Sequence, residues 1–335
     1  MASMNFISGA LREVLYFIDG VVGSYGWSVV LFTFLIRLVL FPLDVKSKQS
    51  MRSMNVLKPQ LDAIQKKYAN DKEKLTKKQQ ELYRKAGVSP LSGCLPMLIQ
   101  LPIMFCMFTA MRVVANERTI GLIMKMIEIS KQEGFEGAVI TEQFLRDNGI
   151  VMQSWLWVKN VFQPDTFWST VIPAVGDKLS AINAVAGIEM LSPEKLEAAR
   201  AFLASEAYLP FAEYFGATKV VFSAPMVFTT LRIPEIFNGY LILPVLAGSS
   251  QILSSKLLSA NQPQDEASQQ SGKMMNNIFP IISVWFCCTS TTAFAIYWVA
   301  ANIIQIISQL AVNWYFARKD AMASATTDNQ EVIKP

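Results

Sequence analysis

Histidine is missing from this chain of 335 residues. With it go His-based acid–base catalysis, Ser-His and Cys-His nucleophile pairs, and His-ligated metal sites. Cysteine is scarce: Cys94, Cys106, Cys287 and Cys288 all lie in apolar segments. They read as small buried hydrophobes, without a disulfide framework or metal-ligating spacing. Charge is short as well, at 17% of residues against roughly 25% in an average soluble domain. Hydrophobic residues make up 52%, and the few charges cluster, so long runs carry almost none. A membrane protein with several spans reads this way. The net charge of +4 is too small to point to nucleic acid, and no direct nucleic-acid partner is expected.

Ahead of the first long run, Ile7, Leu11, Val14, Leu15, Ile18 and Val22 recur at helical spacing, interrupted by Arg12, Glu13 and Asp19. Residues 1–21 are therefore expected to form an amphipathic helix lying in the interface. A cleavable signal peptide is disfavoured by the missing basic n-region and the broken apolar run. Five segments then have the length to span a bilayer, which takes about 20 residues: 22–43, 91–114, 238–255, 274–292 and 293–316. The intervening stretches are 44–90, 115–237 and 256–273, with a tail at 317–335. The last two spans are joined only by Thr289–Thr292, which predicts an antiparallel pair.

Orientation follows from the loops. Between Asp44 and Pro90 twelve basic residues stand against five acidic ones, which places this loop in the cytoplasm. Alternation then puts the N-terminus and the 115–237 stretch outside, and the 256–273 loop and the tail inside. The stretch from Arg112 to Asn238 agrees, with eleven basic residues against fourteen acidic. Within the basic loop, Met54, Leu57, Leu61, Ile64 and Tyr68 keep coiled-coil spacing, and Leu75, Gln79, Leu82 and Ala86 resume it. This predicts a two-helix antiparallel hairpin, with Pro59 starting or kinking its first arm.

The outer stretch is longer than a connection needs. Ser192-Pro193-Glu194 has the pattern of a helix start, and Trp155, Trp157, Phe162, Phe167 and Trp168 suggest a segment at the outer interface. No catalytic constellation and no internal repeat emerge from it.

Arg37 is the most informative residue. An arginine at the bilayer centre costs about 3 kcal/mol on insertion scales. It stands six residues from the end of its span, about 9 Å of helix, too deep to reach the surface easily. No acidic residue lies within any of the five spans, so a water-filled cavity is the expected solution. Thr33 lies one turn before it. Trp298, Asn302, Gln305 and Gln309 form a stripe on one face of the last span, and Gln100 and Gln251 can join it. The residues alone also allow a small-solute transporter or anion channel, although five spans without repeated halves do not match common transporter architecture. An intramembrane protease is disfavoured by the absence of histidine and of intramembrane aspartate.

Several runs resemble the YidC/Oxa1/Alb3 family of membrane protein insertases. They are Gly26-Trp27-Ser28 through Phe32-Thr33-Phe34-Leu35-Ile36-Arg37 to Phe41-Pro42-Leu43, then residues 90–103 (PLSGCLPMLIQLPI), then Tyr240 to Gly248, and Ala295-Ile296-Tyr297-Trp298-Val299 with Asn302. The resemblance implies an all-α integral membrane protein in the bacterial plasma membrane. Its five transmembrane helices would enclose a hydrophilic groove, with a cytoplasmic two-helix hairpin. It implies no cofactor and no enzymatic turnover. The implied groove residues are Arg37, Thr33, Gln251, Trp298, Gln100, Asn302 and Gln305. The hairpin residues expected to serve recruitment are Leu57, Pro59, Leu61, Tyr68 and Leu82. The implied partners are nascent membrane proteins and membrane lipids, with the Sec translocon, ribosome or signal recognition particle components as further candidates. The tail balances Arg318, Lys319 and Lys334 against Asp320, Asp328 and Glu331, unlike the basic ribosome-binding tail of some family members.

Overall fold

The computed structural model describes residues 2–87, 95–135, 139–184, 188–225, 230–259 and 277–331. It is mostly helical, and its elements follow the chain as α1 (Ala2–Val22), α2 (Tyr25–Val56), α3 (Lys58–Lys67), α4 (Lys72–Lys85), α5 (Leu95–Ser130), α6 (Glu142–Asp147), α7 (Pro193–Leu203), α8 (Leu209–Tyr214), strands β1 (Val220–Pro225) and β2 (Thr230–Pro234), α9 (Ile242–Ser259), α10 (Phe279–Thr289) and α11 (Thr292–Glu331). Among the described residues, α2 and the Thr292–Lys319 part of α11 are long and apolar enough to cross a membrane, and α10 is a shorter apolar helix. The chain divides into two compact units. The first holds Met1–Phe32, Met104–Gly248 and Ile282–Val299, and the second holds Thr33–Ile103, Ser249–Ile281 and Ala300–Pro335.

The helices α2, α5 and α11 overrun the apolar runs at their C-terminal ends, whereas α9 starts and ends four residues later than the expected 238–255 and α10 stops at Thr289, before the expected 292. Pro42 sits inside α2 without ending it. α5 continues past Val114 to Ser130 because Arg112, Glu117 and Arg118 interrupt hydropathy but not helical periodicity. Its extension buries Ile120, Ile123, Met126 and Ile129, three residues apart. The tail, expected to begin at 317, is helical to Glu331, where alanine, methionine and lysine favour the helix.

The extended part of α5 is the spine of the first unit's core. Around it pack Ile140, Leu145, Ile150, Val171, Leu191, Leu203 and Phe211. Phe135 stacks on Phe211 with ring centroids 5.4 Å apart. Thr141 caps α6 by accepting from Phe144 N at 3.1 Å, and Gly149, at φ 70°, carries the chain out of that helix. Ser192 accepts from Lys195 N at 3.4 Å, with Pro193 in the first turn of α7. The buried Tyr208 hydroxyl donates to Pro173 O at 2.5 Å. β1 and β2 form an antiparallel pair with a register irregularity between Val220 and Phe222.

α1 buries Leu15 and Ile18 but leaves Val14, Phe17 and Val21 exposed. Polar contacts hold its packed face. Tyr16 and Arg12 bond Glu117 of α5, Arg118 reaches Asp19 at 3.4 Å, and Ser28 at the start of α2 donates to Asp19 at 3.2 Å. Gly23, at φ 72°, makes the break between α1 and α2.

The segment from Gln153 to Thr170 binds the first turns of two apolar helices. Asp165 is wholly buried, and its carboxylate accepts from Tyr240 N at 2.8 Å and Leu243 N at 2.7 Å, at the start of α9. Trp157 Nε1 donates to both its oxygens at 3.2 Å. The Asn238 amide donates to Asn160 O, Gln163 O and Pro164 O. Thr292 N and Ala293 N, opening α11, donate to Gln163 O and Val161 O, both at 2.9 Å. Of the aromatic residues expected at an outer interface, Phe162 is buried against Tyr25 and Trp155 packs on the exposed Trp27, while Trp155, Trp157 and Phe167 are half-buried and Trp168 is exposed.

Candidate functional site

The second unit gathers the polar residues of the apolar helices. Arg37 stands half-buried on α2 and donates through one guanidinium nitrogen to Gln305 Oε1 of α11 at 2.6 Å. A guanidinium carries five N–H donors in a fixed fork, the geometry that suits a carboxylate oxygen. Thr33, one turn earlier, is buried at 1% exposure. The remaining faces of this stretch are apolar and exposed, at Phe34, Leu38 and Val39. The helix therefore sets an arginine face against a hydrocarbon-compatible one.

On α11 the turn before Gln305 carries Asn302, whose amide donates to Ser250 Oγ of α9 at 3.1 Å. Gln251 follows Ser250 and is buried, as are Ser254 and Ser255 one turn on. Spacing of three and four puts these three on one α9 face. Ser254 and Ser255 had escaped sequence reading because a serine inside an apolar run is unremarkable. Their offset from Gln251 was the available signal.

Trp298 belongs to the first unit. It is buried against Phe286 and Phe294, at centroid distances of 6.4 and 5.5 Å. Phe108 joins the same cluster, 5.0 Å from Phe286 and 5.3 Å from Phe294. The Gln100 side chain and Cys94 lie outside the described residues. Cys106 and Cys287 are buried and Cys288 half-buried, all free thiols, which fits their reading as small hydrophobes. Among the described residues no cluster of potential metal ligands occurs.

α3 and α4 complete the second unit. Met54, Leu61 and Tyr83 are buried together, with Leu57 and Leu82 packed against them. These apolar residues hold the two helices together, and the surface they leave is lysine-rich. Pro59 lies at the start of α3, where its missing N–H costs nothing. Tyr68 closes that helix with the Lys67 ammonium 5.7 Å from its ring. Asp71 caps α4, accepting from Lys74 N at 3.0 Å. That bond and the Lys74 ammonium hold its carboxyl below the usual carboxylate range.

The face of α2 beyond Arg37 also carries buried polar groups, Asp44 and Ser47. Nothing in their sequence context set them apart from the solvated charges of the basic loop.

Comparison with known proteins gives a consistent picture. A family model described as "60Kd inner membrane protein" matches residues 17–319. The membrane protein insertase YidC of Fusobacterium nucleatum is 45% identical over 113 residues, covering 32% of this chain and 55% of that one. The YidC of Chloroherpeton thalassium is 34% identical over 193 residues, 57% of this chain and 27% of its own. ALBINO3-like protein 1, chloroplastic, of Arabidopsis thaliana is 25% identical over 303 residues, 90% of this chain and 46% of its own. The chain thus spans about half or less of the length of these relatives.

Proposed function

The chain belongs to the YidC/Oxa1/Alb3 family of membrane protein insertases, and from that membership we propose that it inserts nascent membrane proteins. In this reading the two apolar helices α2 and α11, the apolar part of α5, and α9 and α10 are five spans of a bacterial plasma membrane. The N-terminus faces outside, the α3–α4 pair and the tail face the cytoplasm, and residues 115–237 form an extracytoplasmic insertion.

The observation that carries the proposal is the Arg37–Gln305 pair in otherwise apolar helices, beside the Gln251, Ser254 and Ser255 face of α9. A charged donor and several amides cannot face hydrocarbon without a large desolvation cost. Besides the bonds they make to each other, such groups favour contact with water or a polar guest over lipid. A groove wetted in this way lowers the cost of carrying a short hydrophilic tail partway across the bilayer. Arg37 supplies a fixed positive charge that attracts a carboxylate of that tail. The substrate's apolar segment meanwhile passes along exposed apolar helix surface into lipid. No covalent bond is made or broken, and the driving force is the burial of the substrate's apolar segment, about 25 cal/mol per Å². The lysine-rich surface of α3 and α4 receives the substrate, and Sec, ribosome or signal recognition particle components are candidate donors of it.

The test is insertion into vesicles containing the purified full chain, scored by protease protection of a single-span substrate with an acidic tail. Wild type is expected to insert it, and Arg37→Ala is expected to lose most of that activity while Arg37→Lys retains more. Equal insertion by Arg37→Ala and wild type removes the groove charge from the mechanism.

A further inference from the structure

The Arg37 face of α2 does not end at the groove. Successive helix residues turn by about 100°, so Asp44 and Lys48 project within about 20° of Arg37 and Arg52 within about 60°. On α11, Gln309 and Phe316 lie within about 40° of Gln305 on the same basis. The two faces are joined at both ends of this stretch, by Arg37 donating to Gln305 at 2.6 Å and by the Arg52 guanidinium 5.1 Å from the Phe316 ring centre. Between those joints, the α2 face carries Asp44 and Lys48, and the α11 face carries Gln309 with Ser308 beside it.

Three polar atoms there are buried without a hydrogen-bond partner among the described residues: Lys48 Nζ, Ser308 Oγ and Gln309 Oε1. Asp44 is also buried, and no ion pair joins it to Lys48 among the described residues. The Asp44 charge, one turn before Lys48, favours its ammonium, but an ammonium, hydroxyl and amide oxygen buried without a hydrogen bond are costly unless something polar visits them. Each such group in a native fold asks for an explanation.

We propose that this stretch is the cytoplasmic entrance of the substrate path, where Lys48 takes the first carboxylate of an acidic tail before passing it to Arg37. The inference rests on the insertase reading and deepens it. Lys48 and Arg37 are separated by about 16 Å of helix, so a tail with two acidic residues a few positions apart engages both cations in turn. Ser308 offers a hydroxyl to the same carboxylate, and Gln309 an acceptor to the tail's backbone N–H groups. Asp44, between the two cations, repels the carboxylate if it lingers and so favours onward movement to Arg37. The same chemistry would suit the phosphate of an anionic lipid at the inner leaflet, and the experiment separates the two sources.

Full-length wild type, Lys48→Met, Lys48→Gln and Lys48→Arg are placed in vesicles of phosphatidylcholine alone and of phosphatidylcholine with phosphatidylglycerol. Two single-span substrates differing only in an acidic or an uncharged tail are offered, and the ratio of their insertion is read. Both neutral variants are expected to lower the acidic-to-uncharged ratio about five-fold, the upper end for a partly exposed ion pair. Lys48→Arg is expected to restore most of it, in both vesicle types. An unchanged ratio, or one that falls only in the phosphatidylglycerol vesicles, overturns the assignment, the latter by giving Lys48 to a lipid phosphate. A wild type that inserts neither substrate overturns the insertase reading and this inference with it. Insertion of both substrates by wild type, with no effect of Lys48, overturns this inference alone.

Discussion

Replacing Asp165 by asparagine perturbs one buried carboxylate that serves two parts of the chain. Asp165 is at 0% exposure and takes backbone N–H bonds of 2.8 and 2.7 Å from Tyr240 and Leu243, with the Trp157 indole at 3.2 Å. All three donors converge on two oxygens. An asparagine keeps one oxygen and turns an N–H₂ towards a donor, whichever way the amide is flipped. One charge-assisted bond is lost, worth about 1.5 to 3 kcal/mol, and a buried N–H is left facing another. The α9 N-terminus also loses the negative charge that complements its dipole, worth about 0.3 to 1 kcal/mol. The sum is about 2 to 4 kcal/mol, or roughly a 30- to 700-fold change in a local opening constant. Hydrogen exchange of the full chain in nanodiscs reads it directly. The Tyr240 and Leu243 amides are expected to exchange faster by that factor, while amides near Ile123 in α5 keep their protection. Exchange at Tyr240 and Leu243 within three-fold of wild type refutes the reasoning. It would mean that packing around Asn238 alone fixes the start of α9.

Two further outcomes follow from the same unit. A Cβ at Gly26 would overlap the ring of Trp155, so Gly26→Ala is expected to destabilise by about 1 to 3 kcal/mol; thermal unfolding measures this, and Trp155→Leu in the same chain should recover part of it. For Tyr208, burial pushes the hydroxyl pKa well above its ordinary value, with the Asp177 charge adding to it. The protonated form is thus favoured by folding, so its contribution is complete below pH about 10 and declines as pH rises above that. Tyr208→Phe removes the bond to Pro173 O, and its unfolding curve between pH 9 and 11 should be flatter than that of wild type.

Arg37 stood out in the sequence because a charge in an apolar run has few physical solutions; its bond to Gln305 of the polar stripe was not singled out by any spacing. The start of α7 was legible for a similar reason, since Ser192 and Pro193 act locally. What escaped notice depends on distance or on context. Asp165 caps a helix 77 residues further on, and no local pattern marks such a carboxylate. Asp44, Ser47 and Lys48 look like solvated residues because the same composition surrounds them in the basic loop. Only the continuation of α2 through Pro42, alongside α11, turns them inward. The overrun of α5 was hidden by three charges that break hydropathy without breaking periodicity. The β1–β2 pair left no alternation to find, since Val220, Val221 and Phe222 are all exposed.

The central claim is that a nascent membrane segment passes along the Arg37 face. Its most direct test is site-specific photocrosslinking from Thr33, Gln251 and Asn302 in cells that depend on this chain as their sole insertase. Growth together with crosslinks from these positions to the apolar segment of a single-span substrate is the expected result. Failure to support growth, with no crosslink from any of the three, would contradict the account and return the Arg37 cavity to a solute-handling role.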